Sequence, residues 1–155
     1  VGQIRAKDSD VPTRVVQRCC RLKADVVEAD ERETTGLRAV LNYGHTFAHA
    51  FEAIAGYGEM LHGEAVAAGM RCAARLARRL QRVDDEFVNR QEMLLAALGL
   101  DFDPPEADAD DLLQLMSRDK KSDAGQIRFI LPDRIGHVEL VSDVRQDDVI
   151  AALRA

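Results

Sequence analysis

Apolar residues recur at helical spacing through most of the chain. From Pro12 to Glu28 the positions Val15, Val16, Cys19, Leu22, Val26 and Val27 alternate with charges in a 3.6-residue rhythm, which predicts a helix. The acidic run Glu28-Ala29-Asp30-Glu31-Arg32-Glu33 and the following Thr34-Thr35-Gly36 predict a connecting loop, or a frayed helix end that stops before Gly36. A second helix is expected from Leu37 to Ile54, broken by Gly56-Tyr57-Gly58. An Ala-rich third runs from Gly63 to Gln81, and a fourth from Asp84 to Leu98 is closed by Gly99. Pro104-Pro105 marks a loop, and Asp110 to Met116 predicts a short fifth helix.

The rhythm changes after the polar run from Asp119 to Gly125. Gln126-Ile127-Arg128-Phe129-Ile130-Leu131 and His137-Val138-Glu139-Leu140-Val141 read as strands, with Pro132-Asp133-Arg134-Ile135-Gly136 as the turn of a β-hairpin. A last helix runs from about Arg145 to Leu153. The expected architecture is mainly α, a helical domain with a C-terminal β-hairpin. No internal repeat, P-loop or GxGxxG is present.

Composition narrows the function classes. The 155 residues suit one domain or part of a two-domain protein, and no apolar run approaches the ~20 residues that cross a bilayer. No signal peptide can be read in Val1-Gly2-Gln3-Ile4-Arg5, and a cytoplasmic protein is expected. Net charge is −6, and Arg71, Arg75, Arg78, Arg79 and Arg82 form the densest basic stretch. With no Trp and only 5% aromatic residues, that stretch reads as a solvated helix face rather than a nucleic-acid platform. Neither nucleic acid nor membrane is an expected partner. Cys19, Cys20 and Cys72 form no CxxC pair and read as reduced, mostly buried thiols.

Candidate chemistry is concentrated in the second helix. Its interior holds Asn42, Gly44, His45, Thr46 and His49, all poor helix formers in an otherwise apolar setting. On one continuous helix Arg38, Asn42, His45 and His49 project from a single narrow stripe, a polar wall rather than a core face. His62 follows the Gly56-Tyr57-Gly58 turn at the head of the next helix, and an antiparallel return brings it toward the stripe. Imidazoles from two packed helices suit zinc. Spacing permits His45 with His49 on one ion, or one of them with His62, and it leaves a third ligand open among Glu52, Glu59 and Glu64. His137, by itself in the hairpin, reads as structural.

The run Leu41-Asn42-Tyr43-Gly44-His45-Thr46-Phe47-Ala48-His49-Ala50-Phe51-Glu52, followed by Leu61-His62-Gly63-Glu64-Ala65-Val66-Ala67-Ala68-Gly69-Met70, resembles the signature of the 3-dehydroquinate synthases. The stretches Leu22 to Val27, Asp30 to Glu33, Gly36-Leu37-Arg38, Arg118-Asp119-Lys120-Lys121 and Ile127 to Pro132 resemble it too, so the likeness covers the chain from about Val15 onward. The resemblance implies the C-terminal half of a two-domain enzyme. That enzyme converts 3-deoxy-arabino-heptulosonate 7-phosphate, a sugar phosphate, to 3-dehydroquinate in the shikimate pathway of aromatic amino-acid biosynthesis.

By position, the resemblance assigns His45 and His62 to a divalent metal, zinc or cobalt, and His49 to a proton relay. It assigns Lys23, Arg38 and Asn42 to substrate, and one of Lys120 and Lys121 to its phosphate. It further implies that NAD and a third, glutamate ligand are supplied by an N-terminal domain upstream, that the whole enzyme is a homodimer, and that these 155 residues are inert alone. The chain carries Ala48 where the family usually has glycine, a change expected to fit if the helices do not touch there. The competing readings are a sister sugar-phosphate cyclase, such as a 2-deoxy-scyllo-inosose synthase or a sedoheptulose 7-phosphate cyclase, and a non-catalytic helical metal-binding or interaction module.

Overall fold

A computed structural model of the chain describes residues 10–56, 58–118 and 127–155. Its contacts divide it into two compact units, Val1–Leu41 and Asn42–Ala155.

In the first unit, helix α1 spans Asp10–Ala29. Arg21 binds Asp25 and Glu28, one and two turns on, along its polar side. The helix stops where Asp30 turns inward. One carboxylate oxygen of this buried residue accepts the Thr34 and Thr35 amides at 2.9 and 3.1 Å. Those bonds, that of Thr35 first, hold its carboxyl below the usual range. The apolar stripe of α1 is largely uncovered, since Val15, Val16 and Leu22 are exposed. Cys19 and Cys20 are exposed as well, so the expectation of mostly buried thiols holds only for Cys72, in the other unit. Burial pushes the Cys72 thiol up to about 12.

The helix expected from Leu37 to Ile54 is two elements. A 3-10 helix, Leu37–Asn42, precedes helix α2, His45–Ala55. Gly44 separates them at φ 82° in the left-handed region, so the continuous stripe from Arg38 to His49 does not form. The cause lies far along the chain. A Cβ on Gly69, in helix α3 (His62–Arg79), would fall 2.2 Å from the Gly44 carbonyl oxygen and 3.1 Å from the Ala48 nitrogen. Backbone meets backbone at this crossing, and only paired glycines allow it. Ala48 is fully buried there, so α2 and α3 do touch at this position, and the alanine is accommodated although the condition set for it is not met.

Helix α3 is the axis of the second unit. Ala68, Cys72, Ala73, Leu76 and Ala77 enter a core completed by Phe47 and Phe51 of α2, by Leu112, Leu113 and Met116 of α5 (Ala109–Arg118), and by Val149 and Ala152 of α6 (Gln146–Leu153). Small residues on α3 let its neighbours approach, and burial of the larger ones drives assembly. Helix α4, Asp85–Leu98, begins as expected where the Asp84 carboxylate accepts the Phe87 amide and ends at left-handed Gly99.

Strand β1, Phe129–Arg134, pairs antiparallel with β2, His137–Val141, so that Phe129 faces Val141 and Leu131 faces Glu139. The strand runs through the segment expected to be loop, and the turn is Ile135-Gly136. A register shift between Pro132 and Arg134 leaves Asp133 at a bulge. Phe129, whose ring centre lies 5.3 Å from that of Phe47, fixes the hairpin to the helices.

The basic stretch from Arg71 to Arg82 is exposed at Arg78 and Arg79 but is ion-paired throughout. Arg75 binds Glu92 at 2.8 Å and Arg71 binds Asp103 at 2.8 Å, while Arg78 reaches Asp85, Arg79 reaches Asp148 and Arg82 reaches Glu139. Those within α3 tie it to α4, to the chain after α4 and to α6, and Arg82, in the turn beyond α3, reaches β2. No helix among the described residues is long and apolar enough to cross a membrane.

Candidate metal centre

The glycine crossing sets the geometry of the three histidines. His45 is the first residue of α2 and His62 the first of α3. Gly44, just before α2, lies against Gly69, two turns into α3, and the ring centres of His45 and His62 lie 5.4 Å apart. His49, one turn along α2 from His45, has its ring centre 5.7 Å from that of His45. His45 thus stands between the other two, half-buried, with His49 and His62 exposed.

Two imidazoles bound through Nε2 to one tetrahedral ion place each ring centre about 3.2 Å from it, and hence about 5.2 Å from each other. The observed 5.4 Å fits that arrangement. The orientation of the rings also fits. Nδ1 of His45 faces the Tyr43 carbonyl at 3.3 Å, and Nδ1 of His62 faces a Glu52 carboxylate oxygen at 3.0 Å. Both rings are engaged at Nδ1, an orientation compatible with ligation through Nε2.

The carboxylates near this cluster have separate tasks. Glu64 accepts the Leu61 amide at 2.9 Å and so caps the first turn of α3. Glu52 backs His62. Its role was readable in principle, because Glu52 is seven residues beyond His45 and two helical turns bring it to the same side of α2. The Tyr43 turn is itself held from α4. The Tyr43 hydroxyl donates to Gln91 Oε1 at 2.6 Å, and Gln91 Nε2 donates to the Met70 carbonyl at 2.9 Å. Burial raises the Tyr43 phenol well above its ordinary pKa, keeping it a neutral donor. Nothing local in the sequence pointed to Gln91, 48 residues from its partner.

The other expected site residues are placed as follows. Lys23 is exposed on α1, and Arg38, in the 3-10 helix, pairs with Glu33 at 3.3 Å; both belong to the first unit. Asn42 ends the 3-10 helix and is half-buried. Lys120 and Lys121 lie outside the described residues. Thr46, next to His45, donates its hydroxyl to the Arg128 carbonyl at 2.9 Å, linking α2 to the chain that enters β1.

His137 is not isolated. Asp133, His137 and Glu139 are, among the described residues, a group of three with ligand atoms within 4.8 Å of one another. Each acid already has a cationic partner, Arg134 on Asp133 and Arg82 on Glu139.

A model of the family described as 3-dehydroquinate synthase C-terminal matches residues 1–122. The chain belongs to that family. It is 50% identical over 149 residues to the 3-dehydroquinate synthase of Rhodopirellula baltica, a match covering 96% of this chain and 40% of the relative. Among solved structures it is similar to 2-deoxy-scyllo-inosose synthase in complex with carbaglucose-6-phosphate, NAD+ and Co2+. There the identity is 28% and the TM-score 0.76, over 90% of this chain and 39% of that one. It is equally similar to 2-epi-5-epi-valiolone synthase from Streptomyces hygroscopicus subsp. jinggangensis 5008 with NAD+ and Zn2+ bound. That match has 27% identity and a TM-score of 0.77, over 92% of this chain and 39% of that one. The chain therefore spans about two-fifths of the length of the relatives it matches. Those two structures hold NAD+ with Co2+ and with Zn2+ respectively, and paired imidazoles such as those of His45 and His62 are a donor type suited to such ions.

Proposed function

We propose that this chain is the C-terminal helical, metal- and substrate-binding domain of a cytoplasmic 3-dehydroquinate synthase, a lyase that eliminates phosphate from 3-deoxy-arabino-heptulosonate 7-phosphate and closes the carbocycle of 3-dehydroquinate in the shikimate pathway. The observation that carries this reading is the 50% identity to a 3-dehydroquinate synthase along nearly the whole chain.

In the proposed mechanism a divalent metal supplies Lewis-acid polarisation of a substrate hydroxyl, and NAD, held mainly by an N-terminal domain, supplies reversible hydride transfer at the same carbon. His45 and His62 are the ligands this chain gives to the metal. Transient oxidation of the ring carbinol acidifies the neighbouring C–H, so phosphate can leave, and re-reduction precedes ring opening and reclosure. His49, one turn from His45, moves protons at the reacting hydroxyls. Lys23, Arg38 and Asn42 orient the sugar, and Lys120 or Lys121 pairs with its phosphate. With two histidines in place of a full ligand set and no dinucleotide fingerprint, the 155 residues alone are inert. The whole enzyme is a homodimer.

Phosphate release from 3-deoxy-arabino-heptulosonate 7-phosphate, with NAD and zinc, tests the reading. Release is expected from the chain joined to its upstream coding sequence and not from the 155 residues. Turnover by the short form would remove the missing-half argument. The similarity to 2-deoxy-scyllo-inosose synthase supports a second reading as a sister cyclase. Preference of the long form for glucose 6-phosphate or sedoheptulose 7-phosphate would establish that reading in place of the first.

A further inference from the structure

Within the metal-centre reading just given, we propose that Glu52 is a positioning residue: its carboxylate accepts a hydrogen bond from Nδ1–H of His62, as the Tyr43 carbonyl accepts one from Nδ1–H of His45, so that both imidazoles stand as Nδ1–H tautomers with Nε2 turned to the ion.

The argument starts from what an imidazole needs in order to ligate. A neutral ring has one N–H and one lone pair, and the partner of the first decides where the second points. His45 and His62 come from different helices and have unlike partners, yet both are engaged at the same atom. For His45 the acceptor is main chain, two residues back. For His62 it is a side chain ten residues back, on the neighbouring helix. Helix α2 therefore carries one ligand at its start and the support for the other two turns along, on the same side.

The two grips differ in sensitivity. The Tyr43 carbonyl sits in a turn pinned by left-handed Gly44 and by the Tyr43–Gln91 bond, so no single side-chain truncation removes it. Glu52 can be truncated without touching backbone. It is half-buried and its carboxylate also raises the basicity of the imidazole it backs, which strengthens the metal bond. A carboxylate behind a ligating histidine is worth about 10–100-fold in metal affinity.

Long-range 1H–15N correlation spectra of the 15N-labelled, metal-free chain at about pH 8.5, where histidine is ordinarily neutral, report the tautomers directly. The expected result is Nδ1–H for His45 and His62. Glu52→Ala should move His62 toward Nε2–H with His45 unchanged, whereas Glu52→Gln, whose amide oxygen accepts the same bond, should retain Nδ1–H. Backbone amide spectra of both variants check that α2 is intact, and the Gln variant carries the test if the Ala variant does not fold. Zinc titration should then show affinity weakened about 10–100-fold in Glu52→Ala and less in Glu52→Gln. An Nε2–H tautomer of His62 in the unsubstituted chain overturns the proposal. So does equal zinc affinity with and without the carboxylate. If the tautomers are as expected but zinc shifts neither ring, the metal-centre reading fails, and the positioning role fails with it.

Discussion

Among the described residues two clusters gather side chains of metal-ligating type, and they are built in opposite ways. In the hairpin, Asp133, His137 and Glu139 come within 4.8 Å of one another, yet Nδ1 of His137 lies 2.7 Å from Asp133, Arg134 binds Asp133 and Arg82 binds Glu139. A cation entering there must displace guanidinium groups from carboxylates already neutralised. At the crossing of α2 and α3 the donors are imidazoles, each with Nδ1 against an oxygen acceptor, the Tyr43 carbonyl for His45 and the Glu52 carboxylate for His62. Proximity of donors is therefore the weaker criterion. What separates a ligand set from an ion-pair latch is whether the neighbours free the lone pairs or consume them.

The comparison breaks hardest at Gly69. A methyl group there would sit 2.2 Å from the Gly44 carbonyl oxygen, and no flexible side chain can yield, so one helix must move. Gly69→Ala is expected to cost about 3 kcal/mol, at the upper end of overpacking penalties, and to part His45 from His62. The hairpin cluster, which depends on β1 and β2, should keep its His137–Asp133 bond. Chemical denaturation gives the cost, and nuclear Overhauser contacts between the two rings report the separation. Unchanged stability with the rings still in contact would mean that the crossing is looser than described.

Arg82 tests the other cluster. Its side chain and that of Glu139 are 23% and 51% exposed, so solvent screening limits the pair to about 1 kcal/mol. Arg82→Met should lower stability by no more than that while releasing Glu139. If the latch reading is right, zinc then perturbs the His137 resonances of the variant but not of the unsubstituted protein. Equal response at His137 before and after the substitution would put the hairpin on the same footing as the histidine centre.

These differences also mark what could be read from sequence. Elements set by local chemistry were legible: α4 lies between capping Asp84 and left-handed Gly99, and α3 begins at His62 as the Gly56-Tyr57-Gly58 break implied. Helical periodicity failed at Gly44, whose left-handed backbone ends the expected helix at a close crossing with Gly69, and a one-dimensional pattern contains no helix crossing. It missed the partners of the arginines in and just after α3 for a similar reason, since Arg79 and Asp148 are 69 residues apart and Arg82 and Glu139 are 57 apart. His62 was drawn toward His45 and His49 by a turn plus two short helices, which is local information. His137 looked solitary because its acid partners are gathered by strand register and a bulge.

Acid should dissolve the latch through Asp133. The His137 hydrogen bond first, and the Arg134 charge after it, hold the Asp133 carboxyl below its ordinary value. A folded-state pKa below the unfolded one contributes stability that is fully present above about 3.9 and is lost as pH falls through the depressed value. The β1–β2 end should therefore hold down to about pH 4 and loosen below it, seen as faster amide exchange around Ile135-Gly136. Because the largest cause is the imidazole, His137→Ala should return the Asp133 titration toward the ordinary carboxylate value, read from its side-chain carboxyl 13C shift. Arg134→Ala should return it less. The reverse order would make the hairpin cluster an arginine–carboxylate contact in which His137 is a bystander, and the contrast with the histidine centre would then rest on Arg82 and Glu139 alone.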